Sequence, residues 1–359
     1  MNFSEQFPIL GTCTYLNTAN SGILSQPLLD WRRAHDLEFL AGGSVFRVNQ
    51  SNLLSELKAN LARVFHAKPE NTFLVPNFSF GFNTFLDGLS GTHRFLLLEE
   101  EYPSVNYPIQ GRGFACDYAV IDEHLEDNIL EKIKSFQPTV LAISIVQYIS
   151  GIKIDFEFLK KIKSLYPELL IVADGTQFCG TANFDFEDSA LDVLLSSGYK
   201  WMLGGYGNGF LFMNDKVAKR LYKEHHKNPM PLEPFLKDKG PLNLCFEPGH
   251  LDTLSFGTLN QSLLFLEKLD IDFVEKQIST LSEQAKAAFA SRGLLDQAVV
   301  LRKEHSSIFN LAIKEEVYAK LQEANITCSP RGKGMRISFH FYNTIAELEK
   351  LLEVIDSCE

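Results

Sequence analysis

The sequence predicts an α/β protein, with a large domain built on a mostly parallel central sheet flanked by helices and a smaller α+β C-terminal domain. Between about residue 50 and residue 215, short apolar runs alternate with amphipathic runs, which is typical of strands and helices in a parallel sheet. Beyond about residue 240, long helical patterns and two more strands follow. A chain of 359 residues is long enough for two domains. We expect a large domain at 15–240 and a small domain that consists of 241–359 together with 1–14.

The elements of the large domain follow from hydrophobic periodicity. "SNLLSELKANLARVFH" at 51–66 repeats apolar residues at helical spacing. "PTVLAISIVQY" at 138–148 is almost entirely apolar, as expected of a strand that is buried on both faces. The same reasoning predicts further helices at 128–136 and 155–167, and further strands at 72–77, 93–102, 168–174, 190–198 and 207–214.

The C-terminal part begins with a segment rich in proline and glycine at 227–250, which predicts a long loop. The apolar pattern at 258–295 predicts one or two helices. The remaining pattern predicts strand, helix, strand and helix at 307–313, 317–325, 335–342 and 344–357.

Composition excludes several classes of function. A net charge of −11 argues against nucleic acid as a partner. No apolar run is long enough to span a membrane, and the first residues lack the features of a signal peptide. The six cysteines form no CxxC pair, and no HExxH spacing occurs, so we expect neither a metal site nor a disulfide framework. Free thiols favour a cytoplasmic location.

One lysine lies in a stretch that otherwise looks buried. In "DVLLSSGYKWMLGGYGNGFLF" at 192–212, Lys200 is the single charged residue after Asp192. Burial favours the neutral amine, which is a nucleophile that forms Schiff bases with carbonyl cofactors. The alternative is a surface lysine at a strand–turn junction, with its stem lying on apolar neighbours.

Other polar residues follow predicted strands of the same sheet, where ligands of open α/β sheets bind. Asp174 ends the strand "ELLIVAD", and it either caps the next helix or pairs with the ring nitrogen of pyridoxal phosphate. Ser79 and the backbone near Phe78 lie where "VPNFSFGFN" enters a helix. They either hold a phosphate or merely start the helix. Tyr102 either stacks on a planar ring or packs in the core.

The ordered set of motifs "NFSFGFN", "EYPSVNYP", "VQYISG", "VADGTQFCG", "SSGYKWMLGGYGNGFLF", "FEPGH" and "MRISFHFYNT" resembles the class V aminotransferase family. These are fold type I pyridoxal phosphate enzymes, and their relatives include cysteine desulfurases, selenocysteine lyases and isopenicillin-epimerase-like proteins. The resemblance extends from residue 15 to residue 352. It implies that Lys200 forms the Schiff base and moves the proton, and that Arg336 binds the substrate α-carboxylate. It further implies roles in cofactor binding for Asp174 at the ring nitrogen, Gln177 at the phenolic oxygen, Tyr102 against the ring, and Phe78, Ser79 and Ser197 at the phosphate.

The sequence departs from the family pattern at the edges of this set. Tyr199 precedes the lysine where many desulfurases have a histidine that helps to bind the phosphate, and tyrosine can still donate one hydrogen bond. Phe80 stands where many relatives have glutamate. His250 stands where relatives often have a threonine that reaches the phosphate of the neighbouring subunit. Gln147 or Tyr148 takes the place of an asparagine near the ring.

The resemblance leaves the reaction open. We expect an amino acid substrate, a homodimer, and transamination as the leading activity. The alternatives are a lyase similar to cysteine desulfurase or selenocysteine lyase, an epimerase-like enzyme, and a catalytically silent binding protein that retains the fold. A desulfurase needs a cysteine thiolate on a mobile loop ahead of the arginine. The only thiol in that place is Cys328, eight residues before Arg336, so we expect no efficient desulfurase.

Overall fold

The computed structural model describes residues 3–50, 52–233, 236 and 239–358. Its strands are β1 Thr14–Tyr15, β2 Thr72–Val75, β3 Arg94–Leu98, β4 Ala115–Ala119, β5 Val140–Ser144, β6 Leu170–Asp174, β7 Val193–Ser197, β8 Gly209–Met213, β9 Ile308–Leu311, β10 Ile326–Thr327, β11 Ser329–Arg331 and β12 Gly334–Ser338. Its helices are α1 Gln26–Gly42, α2 Ser44–Asn49, α3 Leu53–Val64, α4 Phe78–Gly88, α5 Pro103–Gly111, α6 Leu125–Phe136, α7 Phe156–Leu165, α8 Asp215–Arg220, α9 Pro241–Phe246, α10 Thr253–Leu269, α11 Ile271–Ser291, α12 Gln297–Leu301, α13 Glu315–Glu323 and α14 Ile345–Asp356.

A seven-stranded sheet in the order β2-β8-β7-β6-β5-β3-β4 lies at the centre of the large part of the molecule. The four neighbouring pairs from β7 to β4 are parallel, whereas β8 runs antiparallel to both β7 and β2. Parallel strands need crossover connections, and helices such as α6 and α7 provide them. The prediction of a mostly parallel sheet flanked by helices is confirmed.

Both faces of this sheet are covered by apolar residues. Along β3, Leu96 and Leu98 belong to one buried cluster, and Phe95 and Leu97 belong to another. Successive side chains of a strand point to opposite faces, so each strand contributes to two cores. This is why the central strands are mostly apolar and do not alternate with polar residues. Among the described residues, no helix is long and apolar enough to cross a membrane.

The C-terminal part contains a three-stranded antiparallel sheet in the order β11-β12-β9. Its core includes Phe289 of α11, Phe309 of β9 and Leu351 of α14. The apolar pattern at 258–295, for which the sequence predicts one or two helices, forms the two helices α10 and α11, and α10 begins earlier, at Thr253. The domain boundaries themselves stay a prediction.

A short N-terminal segment, residues 14–22, connects the two parts. Strand β1 pairs in parallel with β10, and the Ser338 amide donates to the Leu16 carbonyl at 2.9 Å. Farther along, the Gly22 amide donates to the Tyr199 carbonyl at 2.8 Å. The segment therefore runs from the small sheets to the turn that carries the conspicuous lysine.

The prediction of a loop over 227–250 is wrong at residues 241–246, which form α9. Pro241 stands at the first helical position, where its missing N–H costs nothing, and the Asn243 side chain accepts from the Gly240 amide at 2.9 Å. Leu242 and Phe246 are buried on one face. The Gly–Pro pair thus begins a helix. The predicted strand at 335–342 also ends early, at Ser338.

Candidate active site

A cavity of about 350 Å³ opens at the carboxyl ends of the central parallel strands. Four of its residues end or follow neighbouring strands, namely Tyr102 beyond β3, Ser144 of β5, Asp174 of β6 and Ser197 of β7. Because parallel strands end at the same edge of a sheet, these residues meet although they lie far apart in sequence. Eight predicted site residues line this cavity: Phe78, Ser79, Tyr102, Asp174, Gln177, Ser197, Tyr199 and Lys200.

Lys200 follows β7 and is only 7% exposed. Burial lowers the pKa of its amine, the nearby Asp174 carboxylate opposes this effect, and the positive charge of Arg336 adds to it. The Nζ atom lies 5.8 Å from the centre of the Tyr102 ring and 5.5 Å from that of the Tyr199 ring. The structure thus rejects the alternative of a surface lysine and presents a desolvated amine to the cavity.

The turn that carries Lys200 is held through its backbone. The carbonyl of Tyr199 accepts from the Gly22 amide, and the carbonyl of Lys200 accepts from the Leu203 amide at 3.1 Å. A Cβ atom on Gly22 would lie 2.2 Å from the Lys200 carbonyl oxygen, so only glycine permits this approach. The backbone of the lysine therefore has little freedom to move relative to the cavity.

Asp174 is buried at the end of β6. Its Oδ1 atom accepts from the Thr176 amide at 2.8 Å. Burial raises the pKa of this carboxyl, and the Thr176 hydrogen bonds and the Lys200 charge partly offset the rise. A carboxylate in such surroundings can hold a proton on a ring nitrogen that faces it.

Gln177 projects into the cavity with a fixed amide. Its Nε2 atom donates to the Ala19 carbonyl at 2.9 Å, and its Oε1 atom accepts from the Trp201 indole N–H at 2.7 Å. The sequence singled out Gln177, but nothing in it indicated the contact with Trp201.

The N-terminus of α4 forms one wall. Ser197 Oγ accepts from the Phe78 amide at 2.8 Å, and the side chain of Asn77 caps the helix by accepting from the Phe80 amide. Within the described part of the chain, neither the amide nor the hydroxyl of Ser79 has a hydrogen-bond partner. Both donors remain for an anion at a helix end that attracts negative charge.

Tyrosine rings line the remaining walls. Tyr102 contacts Tyr148 edge-on at 5.3 Å between ring centres, and Tyr199 stacks on Tyr206 at 4.9 Å. Burial raises the pKa of Tyr199 to about 12, so its hydroxyl stays protonated and can donate. Tyr148 lines the cavity, whereas the Gln147 side chain turns away and accepts from the amides of the following turn.

Glu101 is a buried acid that the sequence reasoning missed. Its carboxyl accepts from the Tyr102 amide at 2.7 Å, from the Ser144 amide at 2.8 Å and from the Ser144 hydroxyl at 2.7 Å. It thereby joins the ends of β3 and β5 and orients Tyr102. Its place in "LLLEEEYP" resembles an ordinary run of solvated acids, so no local signal marked it.

Arg336 does not line the cavity itself, but it lies beside the Tyr148 turn. Its Nη1 atom donates to the Tyr148 carbonyl at 2.8 Å, and its side chain is 2% exposed. The buried Nε atom has no hydrogen-bond partner in the described residues. A buried donor without a partner is costly, and an incoming carboxylate would satisfy it.

Two other residues lie elsewhere. His250 is exposed and does not belong to the cavity lining. Cys328 follows β10 and is buried in the core of the C-terminal part. Burial raises the pKa of its thiol to about 12.

Comparison with known proteins adds the following. A family model described as Aminotransferase class-V matches residues 41–351. A Bacillus subtilis (strain 168) protein named uncharacterized aminotransferase YcbU is 22% identical, with 98% of this chain and 96% of that protein covered. A probable cysteine desulfurase of Borreliella burgdorferi is 24% identical, with 65% of this chain and 60% of that protein covered.

Solved structures share the fold. The apo cysteine desulfurase of Thermococcus onnurineus NA1 has a TM-score of 0.83 at 17% identity, covering 99% of this chain and 96% of that one. The cystine C-S lyase C-DES, solved with its product cysteine persulfide, has a TM-score of 0.84 at 17% identity, covering 98% of this chain and 99% of that one.

Proposed function

Because the chain belongs to the class-V aminotransferase family, we propose that it is a pyridoxal phosphate enzyme that removes and transfers the amino group of an amino acid. When bound, the cofactor supplies an aldehyde that captures amines and a ring that accepts electrons. The cavity fits such a group, since it combines a desolvated amine, a buried carboxylate and unpaired donors at a helix N-terminus.

The observation that carries the proposal is the location of Lys200 and Asp174 in one cavity, at the ends of neighbouring strands. We assign Lys200 to binding the cofactor aldehyde and then carrying a proton on Nζ. We assign Asp174 to holding a proton at the ring nitrogen. Their shifted pKa values support these roles, because acid–base groups work best near the operating pH.

The other residues bind and orient. We assign the donors of Ser79 and the hydroxyl of Ser197 to the cofactor phosphate, with Tyr199 donating beside them and Tyr102 stacking on the ring. We assign Arg336 to the substrate α-carboxylate. With Nη1 engaged by Tyr148, its Nε and Nη2 edge is the one left for a carboxylate, in the bidentate geometry that suits arginine.

The test has two parts. Borohydride reduction of the cofactor-loaded enzyme, followed by peptide mapping, should find the pyridoxyl group on Lys200, and Lys200→Ala should lose the visible absorbance. Incubation with a panel of amino acids and a keto acid acceptor should then yield new keto acids by mass spectrometry. A label on another lysine contradicts the site, and sulfide or racemate without keto acid contradicts transamination.

A cysteine desulfurase is the second candidate, because two relatives carry that name. A desulfurase needs a thiolate that reaches the substrate sulfur, and Cys328 is buried with a raised pKa. We therefore rank transamination first. Rapid sulfide release from L-cysteine that is lost in Cys328→Ser would reverse this ranking. The products of an epimerase or of an eliminating lyase would be detected in the same mass-spectrometric assay.

We also propose a cytoplasmic homodimer in which His250 reaches the phosphate site of the second chain. The α1–α2 apolar surface supports it: Leu37, Phe39, Leu40, Val45 and Val48 are each more than half exposed, as is common at interfaces. Light scattering should give a dimer that Leu40→Glu dissociates. The control Leu165→Glu, at an exposed site on α7, should leave it intact, and a monomeric wild type contradicts the proposal.

A further inference from the structure

Trp201 directly follows Lys200, and its ring is 1% exposed. Its indole N–H donates to Gln177 Oε1 at 2.7 Å. An indole nitrogen can only donate, so the amide oxygen of Gln177 must be the atom that faces it. At the other end of the amide, Nε2 donates to the Ala19 carbonyl. The orientation of this amide is therefore determined by its partners.

A rotated amide would be unfavourable at both ends. Its oxygen would face the carbonyl oxygen of Ala19, and its NH₂ group would face the indole N–H. In the observed orientation Nε2 has two hydrogens, of which Ala19 accepts one. The second remains for an acceptor in the cavity that Gln177 lines.

The backbone of Trp201 is held in turn by His340. His340 Nε2 donates to the Trp201 carbonyl at 3.0 Å, and Nδ1 accepts from the Phe341 amide at 2.8 Å. These two bonds fix the tautomer, and burial lowers the pKa of His340 to about 3, so the ring stays neutral. The indole thus has a rigid base from which to act on Gln177.

We propose that Trp201 is a positioning residue, which acts through Gln177 to keep a hydrogen-bond donor facing the phenolic oxygen of the cofactor. The inference rests on the proposed function, since it assumes that Gln177 serves this oxygen. Without the indole N–H, only the Ala19 carbonyl still selects the observed orientation, so the rotated amide, which presents its oxygen to the cavity, becomes less unfavourable.

The test is a pH titration of the visible absorbance band of the cofactor-loaded enzyme. A donor stabilises the ionised form of the oxygen that it faces. We therefore expect Trp201→Phe to raise the midpoint by about half to one pH unit, the shift that corresponds to the loss of one hydrogen bond. The matched control is Trp31→Phe, on α1, where the midpoint should not move.

Phenylalanine is smaller than tryptophan and leaves a void. A second variant therefore separates the effect of the lost volume from the effect of the lost hydrogen bond. The chain contains two tryptophans, and in Trp31→Phe only Trp201 remains. Expression of that variant with benzothienylalanine, in which sulfur replaces the indole N–H, removes the donor and retains the ring shape. The same rise in midpoint is expected.

A double variant identifies the route. If Trp201 acts through Gln177, then Trp201→Phe should not shift the pH midpoint any further when Gln177 has already been replaced by alanine. An unchanged midpoint in the benzothienylalanine protein, or a shift that persists in Gln177→Ala, overturns the inference. A wild-type protein that shows no visible band with pyridoxal phosphate contradicts the proposed function instead.

Discussion

At the residue scale, the pair Lys200 and Asp174 illustrates how burial adjusts acid–base chemistry. Each side chain is less than a tenth exposed. Desolvation raises the pKa of the acid and lowers that of the amine, while their mutual attraction opposes both effects. The two shifts bring the pKa values of the acid and the amine closer together, which makes proton transfer between such groups less unfavourable.

Replacement of Asp174 by Asn retains the shape of the side chain and removes its charge. We expect turnover to fall on the order of 100- to 1000-fold, as for loss of one preorganised electrostatic contact. Asp174→Ala should in addition bind the cofactor weakly. Steady-state kinetics and a cofactor titration measure the two effects, and near-normal turnover in either variant would rule out the assigned role.

Cys328 provides a prediction about pH. Burial raises the pKa of this thiol from 9.0 to about 12, so it stays protonated in the folded chain where it ionises in the unfolded chain. The protonated thiol therefore contributes its full share to the free energy of unfolding below pH 9, and this share is lost as the pH rises toward 12.

Iodoacetamide at pH 8 should therefore label the exposed Cys358 and leave Cys328 unmodified until the protein is unfolded. Peptide mapping measures both sites in one sample. Fast labelling of native Cys328 would indicate a mobile thiolate and would favour the desulfurase.

The sequence predicts the site residues that differ from their neighbours in the chain. It does not predict those whose role depends on contacts with residues far away in sequence. Lys200 was predictable because it is the one charge in an apolar stretch. Glu101 was not, because its neighbours are also glutamates and its burial depends on Ser144 of another strand. The contact between Trp201 and Gln177 was not predictable either. A tryptophan in an apolar stretch is expected to pack in the core, and nothing in the sequence shows that its indole N–H faces the Gln177 amide.

At the element scale, the N-terminus of α4 is both a capped helix end and the place to which we assign the cofactor phosphate. Asn77 caps the helix through the Phe80 amide, and the same helix end presents the donors of Ser79. A cap of this type contributes about 1 kcal/mol to the free energy of unfolding. It also fixes the direction in which the amides of the first turn point.

We expect Asn77→Ala to lower the free energy of unfolding by about 1 kcal/mol and to weaken cofactor binding. The matched control is Asp155→Ala, which removes the cap of α7, outside the cavity lining. Urea denaturation and a cofactor titration compare the two variants. Equal cofactor affinity in both would mean that α4 plays no part in holding the phosphate.

Strand β4 and helix α9 were missed by the sequence, each for its own physical reason. Strand β4 lies at the sheet edge and is largely exposed or half-buried, so its short sequence lacks an apolar run. Helix α9 begins with Gly–Pro, which by itself indicates a turn. Buried strands such as β5 and β7 were predicted because burial on both faces leaves a continuous apolar signal.

At the scale of the whole molecule, a partly buried ion pair connects helix α6 with the C-terminal part. Arg302, after α12, makes two hydrogen bonds of 2.7 Å to Glu126 of α6 and one of 2.9 Å to the Lys153 carbonyl. The following strand, β9, pairs with β12 and aligns Asn310 with Arg336. The position of Arg336, to which we assign the substrate carboxylate, therefore depends on this connection.

Arg302→Ala leaves the Glu126 carboxylate half-buried without its partner. We expect a loss of about 2–3 kcal/mol in the free energy of unfolding, less than when one member of a fully buried pair is removed, because water reaches part of the Glu126 carboxylate. The double variant Arg302→Met/Glu126→Leu should recover much of it. Denaturant unfolding measures both, and a loss below about 1 kcal/mol, the value of a surface pair, would contradict this account.

The segment at 14–22 has a consequence for biosynthesis. It leaves the ribosome early, yet Thr14 pairs with Ile326, and the Leu16 carbonyl accepts from the Ser338 amide. A nascent chain can form the strands that carry Lys200 well before these last partners emerge. The residues that line the cavity all lie at 76–207, so they are translated before Ile326 and Ser338 can fix the segment that contacts Gln177 and the Lys200 turn. A product truncated before residue 326 would therefore contain the lining but lack the contacts that hold this segment in place.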